Sequence, residues 1–212
     1  LILATGAVPR TLPQVVGLKN VHVLRSRDNA AALRRAMQTA KTAVVIGGGY
    51  IGLEAAASFR KAGLTVHVVE AVERLLARVA SPDISAFFRE LHQYHGVMVH
   101  TGMTETKFHQ KDGLLTGITL DTGEKISAEL LVVGIGVVPE SVLADAIGAE
   151  TGNGILVDRK MRTTIEDVYA IGDVALVEGA TSRVESVHNA QDTAARAAAD
   201  ITKTPLPNIS IP

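Results

Sequence analysis

The sequence predicts an α/β protein with a mostly parallel sheet, and three observations carry that expectation. The stretch 42–70 reads as one βαβ unit: an apolar run at 43–46, a glycine turn, a helical pattern over Tyr50–Lys61, then Gly63 and a second apolar run closing on Glu70. Within it, Gly47-x-Gly49-x-x-Gly52 has the spacing of a dinucleotide fingerprint. Glu70 stands about 20 residues on, where an acid accepts hydrogen bonds from a ribose. Finally, the segment 105–126 changes to two-residue alternation, broken at Lys111-Asp112-Gly113 and Asp121-Thr122-Gly123, which is hairpin-turn chemistry. The expected architecture is a three-layer Rossmann-like dinucleotide-binding fold with an inserted antiparallel β-meander.

Each fingerprint residue has a mechanical reason. Gly47 permits the tight turn, Gly49 lacks a Cβ that would hold a pyrophosphate away, and Gly52 lets helix and strand approach. With Gly48, Tyr50 and Ile51 they form the candidate binding turn, where the helix N-terminus offers unpaired N–H groups to phosphates. A carboxylate at Glu70 would repel a 2′-phosphate, so it favours NAD over NADP. Arg74 and Arg78 follow closely and soften that preference; read plainly, they are a solvated helix face.

Composition removes other function classes. At 212 residues one or two domains are expected, and 47% hydrophobic with 20% charged content is that of an ordinary globular protein. A net charge of −1 leaves no basic footprint for nucleic acid or an anionic membrane, and 3% aromatics without Trp argues against base-stacking platforms. No apolar run reaches membrane-span length, so cytoplasmic residence is the default expectation. With no cysteine, disulfides, thiolate metal sites and a Cys nucleophile are excluded within this chain, and redox chemistry must reside in a bound cofactor. His92 and His95 are expected on a solvated helix face, and no metal site is expected.

In chain order, residues 1–3 are already an apolar strand, which a natural N-terminus rarely provides, so a piece of a longer protein is expected. Thr5-Gly6 turns the chain, and Pro9 and Pro13 lead it through a connection. Residues 21–24 read as a strand, and 28–39 as a helix capped by Asp28 with Ala32, Leu33, Ala36 and Met37 on one face. An amphipathic turn at 72–79 precedes Ser81-Pro82-Asp83, which opens a helix with Pro at its first position. Its stripe of Ile84, Phe87, Phe88, Leu91 and Tyr94 is expected to face the core. Gly96 ends that helix and Val97–His100 is a strand. After the meander, a buried strand at 130–134 runs into Gly134-Ile135-Gly136, placed either at a ligand crevice or in a plain tight turn. A short helix at 141–147, a strand at 155–157, an apolar strand closed by Gly172-Asp173 and an alanine-rich helix at 186–201 follow, and 204–212 reads as a proline-bearing linker.

Four pieces occur in one order: Ala4-Thr5-Gly6, the 47–52 fingerprint, Gly134-Ile135-Gly136 and Tyr169-Ala170-Ile171-Gly172-Asp173. In that order the chain resembles the FAD- and NAD(P)-dependent pyridine nucleotide oxidoreductases. The runs Gly49-Tyr50-Ile51-Gly52-Leu53-Glu54 and Arg183-Val184-Glu185-Ser186-Val187-His188-Asn189-Ala190 look most like the bacterial ferredoxin reductases of the putidaredoxin and rubredoxin reductase type. The resemblance implies partial FAD-domain segments at both ends: the end of a first segment at 1–6, an NAD(H)-binding domain at 7–138, and a returning FAD segment with linker at 139–212. An initial FAD fingerprint and a terminal interface domain, which such proteins carry, are missing here.

It further implies that Gly47, Gly49 and Gly52 bind the NADH pyrophosphate and Glu70 the adenosine ribose, with Glu54, Gly134, Ile135 and Gly136 at the nicotinamide end. Thr5, Gly6 and Arg10 would lie near the flavin nucleotide, Asp173 after Gly172 would bond a ribityl hydroxyl of FAD, and Val187 would face the flavin ring. For Glu54 the bland alternative is an acid stabilised by the helix dipole, and for Asp173 a turn-capping carboxylate. The implied full-length activity is an NADH-dependent FAD oxidoreductase that passes a hydride from NADH to FAD and then electrons to a ferredoxin-type iron–sulfur protein, with this chain alone inactive. Two alternatives stand beside it: an NAD-binding module without catalysis, and an NADH oxidase or disulfide-type member.

Overall fold

The computed structural model describes residues 1–205. The chain enters on two brief strands, β1 (Ile2–Leu3) and β2 (Ala7–Pro9). It then builds the sheet that dominates residues 9–136, the first of two units: β3 (Val21–His22), α1 (Arg27–Met37), β4 (Thr42–Ile46), α2 (Tyr50–Lys61), β5 (Thr65–Val69), α3 (Pro82–Tyr94) and β6 (Val97–His100). A meander of β7 (Lys107–Lys111), β8 (Leu114–Thr119) and β9 (Lys125–Ser127) intervenes before β10 (Leu130–Val133).

The order β3-β10-β4-β5-β6 is parallel throughout, with β10 inserted between β3 and β4 and buried at every residue. Alternation along the strands sorts side chains into two cores. Ala43, Val45, Val66, Val68, Leu130 and Val132 meet Leu33 of α1 and Leu53, Ala56 and Phe59 of α2. Val44, Val69, Leu131 and Val133 meet Leu115, Ile118 and Ile126 of the meander. The layers are therefore helices, sheet and meander. The first meander turn needs left-handed backbone at both central residues, and Asp112 (φ 52°) and Gly113 (φ 75°) supply it.

The second unit takes residues 1–8 with the described residues from 137 on. It adds β11 (Val137–Pro139), α4 (Val142–Ala146), β12 (Thr151–Gly152), β13 (Gly154–Val157), β14 (Tyr169–Ala170), β15 (Ala175–Val177) and α5 (Val187–Thr202). Here β1 lies parallel to β14, β13 parallel to β15, and β2 beside β11. Leu3, Ile155, Met161, Ala170, Val174 and Ala197 form its core. The C-terminus of α5 is fastened by Asp200, which accepts from Arg162 Nη2 at 2.7 Å and from the Tyr169 hydroxyl at 2.8 Å. The Arg162 guanidinium, first among its neighbours, holds the Asp200 carboxyl down to a pKa of about 2.

Several expectations fail here for physical reasons. The cap of α1 is Ser26, whose hydroxyl accepts from the Asn29 amide while the Asn29 side chain accepts from the Ser26 amide. That reciprocal pair displaces Asp28 into the first turn. The aromatic stripe of α3 faces outward: Ile84, Phe87, Leu91 and Tyr94 are exposed, and Ser85 and His92 are buried instead. His92 is thus not on a solvated face. The segment at 7–9, read as connection, is a strand. The proline-bearing tail lies, from residue 206 on, outside the described residues.

Candidate functional site

The glycine turn is built by close backbone contacts. β4 ends at Ile46, and Gly47 turns with φ +106° while its N–H donates to Val69 O at 2.8 Å. A Cβ on Gly47 would fall 2.3 Å from Gly134 O, and one on Gly52 only 2.0 Å from Gly47 O, so both approaches require glycine. At Gly49 nothing lies within 4 Å of such an atom. Gly49 is also the N-cap of α2 and brings no side chain to cap it, which leaves the first-turn amides open.

Glu70 is aimed at this turn. Its Oε2 accepts from the Gly48 N–H at 2.6 Å and its Oε1 from the Val72 N–H at 3.1 Å. Each oxygen keeps a further lone pair for a ligand hydroxyl. Behind it, His67 Nδ1 and His100 Nε2 meet at 3.1 Å on neighbouring strands. Burial pushes the His67 imidazole below its usual range, His100 adds to that, and Glu124 opposes it.

Glycines 47–49, Tyr50, Glu70, Arg78, Gly134 and Ile135 share one cleft of about 500 Å³, within the size range of cofactor sites. Next to Ile135, Gly136 has φ +98°, and its carbonyl accepts from the Arg10 N–H at 2.9 Å; the Arg10 side chain is exposed. Ile51 is exposed in the first turn of α2. Glu54 stands apart: with Tyr50, Leu53 and Phe88 it lines a neighbouring groove of about 720 Å³ between α2 and α3. Arg74 is outside the lining of this cleft, and its guanidinium donates to Ala77 O and Ser85 Oγ at 2.8 Å and to Ala80 O at 2.7 Å. This replaces the expected solvated helix face at 74.

In the second unit, the parallel pairing of β1 with β14 brings Thr5-Gly6 and Gly172-Asp173 to the same sheet edge. Gly6 has φ +72° and Gly172 φ +70°. The Gly172 N–H donates to the buried Thr193 Oγ1 of α5 at 2.9 Å, tying the turn to that helix. The Asp173 carboxylate has no hydrogen bond among the described residues, while its backbone carbonyl accepts from Arg183 Nη1. Arg183 also pairs with Glu185 at 3.0 Å, two residues ahead of Val187, which is 71% exposed at the start of α5. The start of α5 is capped by Ser186, whose hydroxyl accepts from the Asn189 N–H at 3.1 Å, so on this unit it is the unclaimed Asp173 carboxylate and the exposed Val187 side chain that fit a polyhydroxylated flavin nucleotide. Arg183 was not legible from sequence: the Asp173 carbonyl it holds carries no residue-type signal. Among the described residues no group of His, Asp or Glu is arranged to hold a metal ion.

The family model described as pyridine nucleotide-disulphide oxidoreductase matches residues 1–194. The chain belongs to that family. Among curated relatives, rhodocoxin reductase of Rhodococcus erythropolis is 43% identical across 100% of the chain, which covers 51% of that protein. Rubredoxin-NAD(+) reductase of Pseudomonas putida is 40% identical over 98% of the chain and 56% of its own length. Among solved structures, the reductase in the covalent putidaredoxin reductase–putidaredoxin complex superposes with a TM-score of 0.93 at 35% identity, covering 100% of this chain and 53% of the other. The chain therefore spans about half the length of the relatives it matches.

Proposed function

We propose that this chain is the nucleotide-binding half of an NADH-dependent flavoprotein reductase that delivers electrons to a ferredoxin-type iron–sulfur protein. The observation that carries the reading is the glycine turn with Glu70 docked on it at 2.6 Å, one cleft offering open amides and a carboxylate to a dinucleotide. The relatives named above are reductases of rhodocoxin and rubredoxin, and the solved complex pairs one such reductase with putidaredoxin. Glycines 47, 49 and 52 would admit the diphosphate, Glu70 the adenosine ribose, and Gly134, Ile135 and Gly136 the nicotinamide end; Glu54, which lines the neighbouring groove, is left out of this set. Thr5, Gly6, Asp173 and Val187 would hold FAD. When bound, FAD supplies the conversion of a two-electron hydride into single electrons. This chain's residues bind and orient; no acid, base or nucleophile of its own is needed.

A simple NAD-binding module would have no use for the Asp173 turn and the Val187 helix start after its own sheet is complete, which favours the reductase. We place the protein in the cytoplasm; no helix among the described residues is long and apolar enough to cross a membrane. The test is to purify the full-length gene product. Bound yellow flavin and NADH-driven reduction of a one-electron acceptor are expected, and a colourless protein without that activity would rule the reductase out.

A further inference from the structure

Two arginines leave the 72–79 turn, and they have different fates. The Arg74 guanidinium donates through both terminal nitrogens to Ala77, Ala80 and Ser85. Arg78, exposed at the cleft mouth, makes no hydrogen bond or ion pair among the described residues. The turn itself is fixed, because the Leu76 N–H donates to Gly48 O at 2.9 Å and the Leu75 and Leu76 side chains are buried. From there Arg78 reaches the strand-end loop after β10, where one guanidinium nitrogen lies 3.3 Å from the place a Cβ would occupy on Gly136.

The sheet order gives this position its meaning. β4, which carries the glycine turn, lies between β10 and β5, so Gly136 and Glu70 stand on opposite flanks of that turn. Of the described residues that line the cleft, Arg78 is the only Lys or Arg and Glu70 the only acid. A ribose at Glu70 and a diphosphate over the open amides of α2 put the diphosphate's far side within reach of Arg78. A 2′-phosphate on the adenosine would instead sit beside Glu70, on the wrong flank.

We infer that Arg78 is a ligand of the dinucleotide's diphosphate, and that its charge does not recruit a 2′-phosphate. Resting on the NADH reading above, this names the group that supplies the cation. Guanidinium and diphosphate form charge-assisted bonds that a neutral side chain of similar length cannot replace.

The experiment compares the full-length holoprotein with its Arg78→Met and Arg78→Lys variants, titrated with NADH, NADPH, ADP-ribose and adenosine at two salt concentrations. Arg78→Met is expected to weaken NADH and ADP-ribose on the order of tenfold, leave adenosine and the NADPH/NADH ratio unchanged, and flatten the salt dependence. Arg78→Lys is expected to recover part of the loss. Undiminished NADH binding by Arg78→Met, an equal loss for adenosine, or a loss confined to NADPH would each overturn the assignment while leaving the dinucleotide reading intact. Wild-type protein that binds neither NADH nor ADP-ribose would overturn both.

Discussion

Helices α2 and α3 are nearly equal in length, at 12 and 13 residues, and pack on the same face of one sheet, yet they relate to it in opposite ways. α2 buries Gly52, Leu53, Ala55, Ala56 and Phe59, the face its apolar pattern presents. α3 turns Ser85 and His92 inward, keeps Phe88 partly covered, and exposes Phe87 at 56% and Tyr94 at 86%. The difference lies in what each helix must satisfy. α2 crosses from β4 to β5, two adjacent parallel strands, and its position over them follows from that connection. α3 must also supply the Ser85 hydroxyl to the guanidinium of Arg74, a partly buried donor whose desolvation would be costly unpaired. Periodicity identifies a helix, but a polar partner can decide which face it buries.

The largest expected effect breaks the comparison at α2. In Gly52→Ala the new methyl would meet backbone at 2.0 Å, so helix and turn must separate, at a cost of about 3 kcal/mol or more. Gly49→Ala meets nothing within 4 Å and should cost only about 0.5–1 kcal/mol, while placing a methyl where the diphosphate is proposed to approach. Thermal unfolding paired with NADH titration separates them: the first variant loses stability, the second loses binding. A fully stable Gly52→Ala protein would mean that the close approach is not what the turn requires.

The next effect sharpens the contrast on α3 itself, between adjacent aromatics. Phe88 packs against the helix-side core, so Phe88→Ala should destabilise on the order of 2 kcal/mol, below the range for a fully buried ring. Phe87→Ala should stay within about 0.5 kcal/mol. Urea denaturation midpoints measure both, and the reverse ranking would put the aromatic stripe back in the core.

Much of this architecture was legible because its causes are local. The steric demands at Gly47 and Gly52 arise within a few residues of each other, and the Asp112-Gly113 turn needs only its own backbone angles. The cap of α1 was missed although Ser26 and Asp28 are both competent caps; the reciprocal bond from Asn29 decided between them. The site was legible as motifs and illegible as charges. Glu70 announces itself at the strand end, whereas the fates of Arg74 and Arg78 depend on where a loop of irregular backbone directs each side chain. Arg183 crosses to a carbonyl ten positions away, past a Gly154 whose Cβ would meet its Cδ at 2.5 Å, and no spacing rule encodes that.

The smallest expected effect concerns acidity. Burial pushes the His92 imidazole below its ordinary value of 6.5, and the neighbouring His95 pushes it the same way. In the unfolded chain this group takes up a proton near 6.5, whereas the folded protein takes it up only at lower pH. Across that interval the unfolded state holds more protons, so the stability of α3 falls as pH drops below about 6.5 and levels off beneath the folded-state value. The buried face of α2 carries no titratable side chain, so its own packing has no such term. His67, buried under the meander layer, weakens the sheet in the same direction, which makes a global melting curve a poor discriminator. Amide hydrogen exchange at about pH 7.5 and 5.5, corrected for intrinsic rates, resolves the two helices. α3 should lose more protection than α2, and His92→Gln should remove the excess; equal losses in both helices would mean that His92 does not set the stability of the face it occupies.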